Sequence, residues 1–362
     1  MHITTNTKDL QHLLEIISKI STKHITLPIL QCVLLEVKNN ILIIKATNLE
    51  IGIEGKLSVT QEEEGVIAVP AQILLQTINL ITQQTITLTS EGDVLHVESQ
   101  TSKTEIKSIP VDDFPNIPQV TGEAAHITGK VFALGIKTTA NTASQSSIKP
   151  ELGSIYIHQK KEHSLTFVAT DSFRLMEKTI PQKNFILNDS ILIPYKNALE
   201  LARVVEDEDD VELYINENQC ALVTKQIYIT SRLISGTFPD YEQIIPKEYK
   251  TTITLLTKDL AHALKKTNIF LNKFMQLTVT ISGGTFTLSA QSGEAGATTE
   301  AIAANVDGDD VTLNFNQRYV AEVVPHIYDE SILIKCAGVG RPMVIQNVHD
   351  TSLRYLVMPM NK

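Results

Sequence analysis

The side chains of this chain that could do chemistry are scattered rather than grouped. Asp171-Ser172 sets a carboxylate beside a hydroxyl, and ten histidines could act as bases, which are the raw materials of a hydrolase. Ser172, however, lacks the glycine-flanked turn that exposes such a nucleophile, and no segment has HExxH zinc spacing or a phosphate-binding loop. Gly338-Val339-Gly340 is too sparse for a dinucleotide fingerprint and reads as a hairpin turn. Cys32, Cys220 and Cys336 stand singly, in odd number and without a nearby Cys or His pair, so they read as reduced core thiols. The run EDEDD at 206–210 fits a solvated turn between helix and strand, because consecutive carboxylates cannot all face one ion. These residues point away from catalysis and call for no metal and no cofactor.

The elements that carry these residues repeat. Thr7-Lys8-Asp9-Leu10-Gln11-His12-Leu13-Leu14 returns as Thr257-Lys258-Asp259-Leu260-Ala261-His262-Ala263-Leu264, with six of eight positions identical. A weaker middle copy, TGKVFALGIKTTANTA, includes Lys130. A second helical pattern follows in each copy: IAVPAQILLQTINLI at 67–81, ILIPYKNALELARVV at 191–205 and LNFNQRYVAEVVPHI at 313–327. Pro70 and Pro194 stand where a strand gives way to a helix, a position that tolerates a missing amide hydrogen. Between the helices, ILIIKATNLEIGIEG, SLTFVATDSFRLMEK and TFTLSAQSGEAGATTEA read as strands, with Thr47, Thr170 and Ala290 in equivalent places. Phe114-Pro115, Phe238-Pro239 and Pro359 close the copies. All these landmarks share a period of roughly 120 to 128 residues, so the expected fold class is α+β. Three repeated domains are expected, at 1–120, 121–248 and 249–362, each with two helices and antiparallel sheets.

At 43% hydrophobic and 20% charged residues the composition is that of a soluble globular protein. No apolar run is long enough to cross a bilayer, and the first residues carry no basic segment followed by an apolar one. The expectation is a cytoplasmic protein without a membrane partner. A net charge of −10 argues against a generic nucleic-acid binder, so any DNA role requires a localised positive surface.

The full chain resembles the bacterial DNA sliding clamps, the β subunits of replicative DNA polymerase III. The resemblance rests on LPIL at 27–30, ATDSFRL at 169–175, FPDYEQIIP at 238–246 and VMPM at 357–360, together with the threefold period. It implies a non-enzymatic processivity factor. Two protomers would pair head to tail into a ring of six similar domains, with sheets outside and twelve helices lining a hole for duplex DNA. Residues on predicted helices or their ends that would face the DNA, without regard to its sequence, are Lys8, Lys19, Lys23 and His24, then Lys137, Lys149, Lys196 and Arg203. From the third domain Lys258, Lys265, Lys266, Lys273 and Arg318 would join them. Weak phosphate contacts suit a ring that holds DNA by topology, and an acidic exterior discourages binding on the wrong face. Taken singly, each lysine is equally consistent with keeping a helix soluble.

The resemblance further implies one pocket per protomer for short, largely apolar peptides of the replicative polymerase, clamp loader and repair proteins. The matching positions are Leu152, Thr170, Ser172, Phe173, Arg174 and Leu175 on one wall. Pro239, Gln243 and Ile244 come from the stretch between the second and third domains, and Pro342, Val357, Met358, Pro359 and Met360 from the carboxyl-terminal side. Leu175, Ile244 and Val357 also fit plain domain core. The chain has Ser172-Phe173 where the family usually has Gly-His, and Asn361 where it usually has Arg. The homodimer would close through the strand at 101–109, including Lys103 and Lys107, and through Ile269, Phe270, Leu271 and Phe274. The latter stretch is equally consistent with an ordinary helix end. A three-domain scaffold that binds peptides without encircling DNA shares the repeat and the cleft.

Overall fold

The structure, a computed structural model, describes residues 1–21, 27–146, 148–183, 186–187 and 189–360. Lys23 and His24, both expected to face DNA, lie outside the described residues, as does Asn361.

Each repeat opens with a strand that runs directly into a helix. His2–Asn6 leads into α1 (Thr7–Ile17), Ala125–Ile127 precedes α3 (Gly129–Thr139), and Thr251–Leu256 leads into α5 (Thr257–Thr267). The second helices follow Gly65–Pro70, Ile191–Pro194 and Val311–Asn316: α2 (Ala71–Asn79), α4 (Tyr195–Val205) and α6 (Gln317–Glu322). Local chemistry sets these starts. The Asn6 side chain accepts from the amides of Lys8 and Asp9, at 2.9 and 3.3 Å, and Asn316 does the same for Arg318 at 3.0 Å. Pro70 stands at the N-cap of α2 with φ −54°, a value its ring prefers. Helix α6 is shorter than the repeat pattern suggests and passes into a 3₁₀ turn at Val324–His326. Pro325 supplies the reason, since it has no amide hydrogen to continue the α-helical ladder.

The described residues form four antiparallel sheets, divided between two compact units. The first unit, Met1–Leu134 with Lys196–Ser235, holds a five-stranded sheet whose edge strands are Thr60–Glu63 and Lys103–Lys107. It also holds an eight-stranded sheet, continuous between the first and second repeats because Ile227–Arg232 pairs with Ile51–Ser58, Ile229 opposite Ile53. The second unit, Gly135–Tyr195 with Gly236–Lys362, repeats the device. Its nine-stranded sheet joins the second and third repeats where Arg174–Pro181 pairs with Leu353–Val357, Arg174 opposite Val357. A four-stranded sheet ends on Gly296–Ile302 and Val311–Asn316. Strand pairing across repeat boundaries is why three repeats pack as two compact units.

Within each unit the helices lay their apolar faces on the sheets. In α1, Leu10, Leu13, Leu14 and Ile17 are buried, and a Cβ at Gly55 would come within 2.5 Å of Leu13 Cδ1. A Cβ at Gly135 in α3 would meet the Phe167 ring at 2.2 Å. Glycine is unfavourable inside a helix by about 1 kcal/mol, and here it is what admits that aromatic ring. In the third repeat, Leu260 and Leu264 of α5 pack with Phe286, Phe315 and Tyr355. The three cysteines are buried, and burial pushes the Cys220 and Cys336 thiols up to about 12 and Cys32 to about 11. Glu206–Asp210 does form the turn between α4 and the strand Val211–Ile215, with Asp210 3.1 Å from His126. Gly338 (φ 112°) and Gly340 (φ 73°) supply the left-handed residues of the connection between two paired strands, Ser331–Cys336 and Met343–Asn347. No helix among the described residues is long and apolar enough to cross a membrane.

Candidate peptide-binding site

The second unit brings two of the three expected walls together through its nine-stranded sheet. The hairpin of Ser164–Thr170 and Arg174–Pro181 turns at Asp171-Ser172-Phe173, and the strand Leu353–Val357 lies beside its second arm. Past the end of that pairing, the Met358 amide donates to the Phe173 carbonyl at 2.8 Å and the Met360 amide to Asn314 O at 2.7 Å. The last described residues are thus held to the turn at Met358 and to the strand Val311–Asn316 at Met360.

The turn is built by its own side chains. Thr170 Oγ1 donates to Arg174 O at 2.6 Å and accepts from the Ser172 amide at 3.1 Å. Asp171 Oδ1 accepts from the amides of Phe173 and Arg174, at 2.9 and 3.0 Å. Ser172 takes φ 77°, a left-handed conformation for which glycine is better suited, and this turns Phe173 outward. The same turn occurs in the first repeat, where Thr47 Oγ1 donates to Ile51 O at 2.8 Å, Asn48 takes the place of Asp171, and Leu49 has φ 75°. A further difference concerns the residue that receives the neighbouring strand. Glu50 O accepts from the Arg232 amide in the first junction as Phe173 O accepts from Met358 in the second. Only the second junction therefore presents an apolar pair.

Beneath the turn, Arg174 is almost fully buried, with Nε 3.0 Å from Asp171 Oδ2 and Nη2 donating to Asn141 O at 2.8 Å. Its guanidinium also pairs with Glu322 of α6 and lies over the Tyr319 ring, 4.5 Å from the centroid. Asn141, Tyr319 and Glu322 were not among the expected site residues. Their signal is not local, because Asn141 follows α3 and Tyr319 and Glu322 lie on α6, and all three meet Arg174 only through folding.

The remaining expected residues divide by exposure. Phe173 is 61% and Ile244 47% exposed, Pro239 and Gln243 are exposed, and Met358, Pro359 and Met360 are half-buried. Leu152, Thr170, Leu175, Pro342 and Val357 are buried, so the core reading of Leu175 and Val357 fits their packing, while Ile244 is open. An arrangement of Phe173, two methionines and a proline can take apolar side chains of an extended peptide.

Three models of the DNA polymerase III beta subunit match in register along the chain: its N-terminal domain over residues 1–118, its central domain over 126–240 and its C-terminal domain over 242–361. The chain belongs to the DNA polymerase III beta subunit family. Among its relatives, the beta sliding clamp of Vibrio cholerae is 27% identical over 341 residues, 92% of this chain and 93% of that protein. The beta sliding clamp of Staphylococcus aureus is 25% identical over 350 residues, 92% of each. The crystal structure of a Pseudomonas aeruginosa sliding clamp bound to griselimycin matches with TM-score 0.94 and 25% identity, covering both chains completely. The beta subunit of Thermotoga maritima, at 24% identity and TM-score 0.93, matches in fold over 100% of this chain and 99% of its own. Three domains of the clamp fold, each with two helices and antiparallel sheets, are thereby established.

The other two groups of expected clamp residues are dispersed. Lys8, Lys137, Lys196, Lys258, Lys265, Lys266 and Arg318 are exposed on helices, while Lys19 follows α1 and Lys149 and Lys273 lie in turns. Arg203 is tied down, donating to Ile16 O at 3.0 Å and pairing with Glu200. Lys266 pairs with Glu300 and Arg318 with Glu322, at 2.9 and 2.7 Å. Of the expected dimer residues, Lys103 and Lys107 are exposed on an edge strand, with Lys103 2.7 Å from Glu98. Ile269 and Phe270 form a 3₁₀ turn at the end of α5, and Ile269 and Phe274 are 68% and 59% exposed. A Cβ at Gly296, on the edge strand Gly296–Ile302, would touch Phe270 at 4.0 Å.

Proposed function

We propose that this chain works as a DNA sliding clamp of the polymerase III type, in which two copies close head to tail around duplex DNA. The clamp then tethers the replicative polymerase, the clamp loader and repair proteins through the cleft at 170–175 and 358–360. It does so without catalysing a reaction, in the cytoplasm, with domain boundaries near residues 120 and 248. The observation that carries the tethering site is the exposed Phe173 beside Met358, an apolar pair that the matching turn of the first repeat replaces with Glu50 and Arg232. Closure is supported by two edge strands, Lys103–Lys107 and Gly296–Ile302, whose unpaired backbone groups suit pairing between copies. The exposed cations on the helices suit loose contact with phosphates, and the net charge of −10 disfavours DNA elsewhere on the surface.

The decisive experiment loads the protein onto nicked circular DNA with a clamp loader and then cuts the circle. A clamp leaves the linear ends, whereas retention after cutting would mark an ordinary binder or a peptide scaffold. For the cleft, removal of residues 359–362 is expected to abolish binding of a polymerase peptide and leave the dimer intact. Val357 has to stay in such a truncation because it is fully buried opposite Arg174.

A further inference from the structure

The linker between the second and third repeats is held to the sheet by a network centred on Tyr241. Its neighbour Phe238 is buried and stacks on Tyr156, with centroids 4.8 Å apart and planes 6° from parallel. Tyr241, also buried, meets Phe238 and His158 edge-on at 6.3 and 6.2 Å. The Tyr241 hydroxyl donates to Glu177 Oε2 at 2.6 Å, and His158 Nε2 lies 3.2 Å from the Tyr241 hydroxyl oxygen. Because the Tyr241 hydroxyl directs its proton at Glu177, its oxygen accepts from His158, which places the imidazole proton on Nε2. Glu177 is buried and further met by Lys160 at 3.3 Å and Arg354 at 3.5 Å, and Lys160 also reaches Glu242 of the linker at 2.8 Å.

Two features give this network a consequence for binding. Glu177 lies three residues along the same strand from Arg174, about 10 Å from the turn that carries Phe173. The anchor residues Phe238 and Tyr241 also alternate in sequence with Pro239, Gln243 and Ile244, which are exposed. The linker after the first repeat is held without such a carboxylate: Ile117 packs over Gly52, where a Cβ would come within 2.6 Å, and the hydroxyl of Tyr228, a strand residue, donates to Pro118 O and accepts from the Val120 amide, both at 2.8 Å.

We infer that Tyr241, bonded to Glu177 and His158, is a positioning residue that sets the linker wall of the peptide site relative to the Phe173 turn. The inference rests on the reading of 170–175 and 358–360 as that site. Tyr241 needs no contact with the peptide. Its hydroxyl orders Gln243 and Ile244 before binding, so that the peptide does not have to order them.

The test is Tyr241→Phe in the full chain, which keeps the ring contacts and removes one hydroxyl. The probe is a fluorescein-labelled peptide from the carboxyl-terminal region of a replicative polymerase, with Phe173→Ala as the variant on the opposite wall. The expected result is a loss of about five- to tenfold in peptide affinity, of the order of one buried hydrogen bond. Amide exchange should accelerate in 242–246 and stay unchanged in 174–181. Affinity within twofold of the parent, while Phe173→Ala weakens binding, overturns the role of Tyr241 and leaves the site standing. Acceleration spread over the whole unit also overturns it, because it marks general loosening. If neither variant changes affinity, the peptide site itself fails, and the positioning role fails with it.

Discussion

The Arg174 guanidinium lies 4.5 Å over the Tyr319 ring while bonding Asp171 and Asn141 O and pairing with Glu322. A buried cation with this many partners holds the turn, the end of α3 and α6 in one arrangement. Arg174→Ala leaves Asp171 without its counter-charge and Glu322 with Arg318 alone, and is expected to destabilise the protein by about 3 kcal/mol. Arg174→Lys should recover little of this, because an ammonium cannot bond Asp171 and Asn141 in a planar fork or stack on Tyr319 in the same way. Urea unfolding of both variants checks the claim. A Lys variant as stable as the parent would show that charge alone suffices.

Ser172 sits at φ 77°, where a side chain is strained and glycine is not. Ser172→Gly is therefore expected to raise stability by up to about 1 kcal/mol, the relief being partly offset by the greater freedom of glycine in the unfolded chain. Thermal unfolding reads the change. A loss of stability would mean that the serine hydroxyl supports the turn.

The strained turn also marks how far the sequence can be read. The repeat landmarks located the helices: Pro70 and Asn316 obey local backbone and capping rules, while Thr7 and Thr257 mark the first residues of α1 and α5 only through the repeat itself. The ATDSFRL segment forms one turn from Thr170 to Arg174 because Thr170 and Asp171 build it through bonds spanning two to four residues. Tyr319, Glu322 and the Tyr241–Glu177 bond were not legible. Glu177 and Tyr241 are 64 residues apart, and nothing in either segment announces the other. Likewise, pairing between Ile227–Arg232 and Ile51–Ser58 merges repeats into larger sheets without leaving a periodic signature.

Stability should fall as the solution is acidified below neutrality. Burial holds the His158 imidazole below its ordinary value of 6.5, although Glu177 and Glu242 favour its protonation, and burial does the same to His326, aided by the charge of Lys178. Below pH 6.5 the unfolded chain binds protons that the folded chain refuses, so unfolding is favoured as pH drops towards the folded values. Each histidine can contribute a slope of at most about 1.4 kcal/mol per pH unit in that window. The carboxylates of Glu242 and Glu300, held below 4.5 chiefly by hydrogen bonds from Lys160 and Lys266, add losses only in more acid solution. His158→Gln, which retains a donor for Tyr241, is expected to flatten the urea midpoint between pH 7.5 and 5.5. An unchanged slope would assign the dependence elsewhere.

The proposed dimer would close through surfaces that are open in one copy. Ile269 and Phe274 are 68% and 59% exposed, and Phe270 of the same stretch packs beside Gly296 on an edge strand. Exposure of two large apolar side chains next to unpaired backbone is unfavourable for a lone protomer and is relieved if a second copy adds its own edge strand there. Ile269→Asp would bury a carboxylate in that contact while disturbing nothing inside the protomer, so its effect on the chain's own stability should stay within about 0.5 kcal/mol. The expected light-scattering mass falls from about twice the 40.1 kDa chain to the single chain at micromolar concentration. Retention on circular DNA should be lost with it, since an open protomer encloses nothing, while the affinity for a polymerase peptide should persist. If Ile269→Asp remained dimeric, closure would have to run through other surfaces. If it became monomeric and still stayed on circular DNA, encirclement would be wrong even though the interface was right.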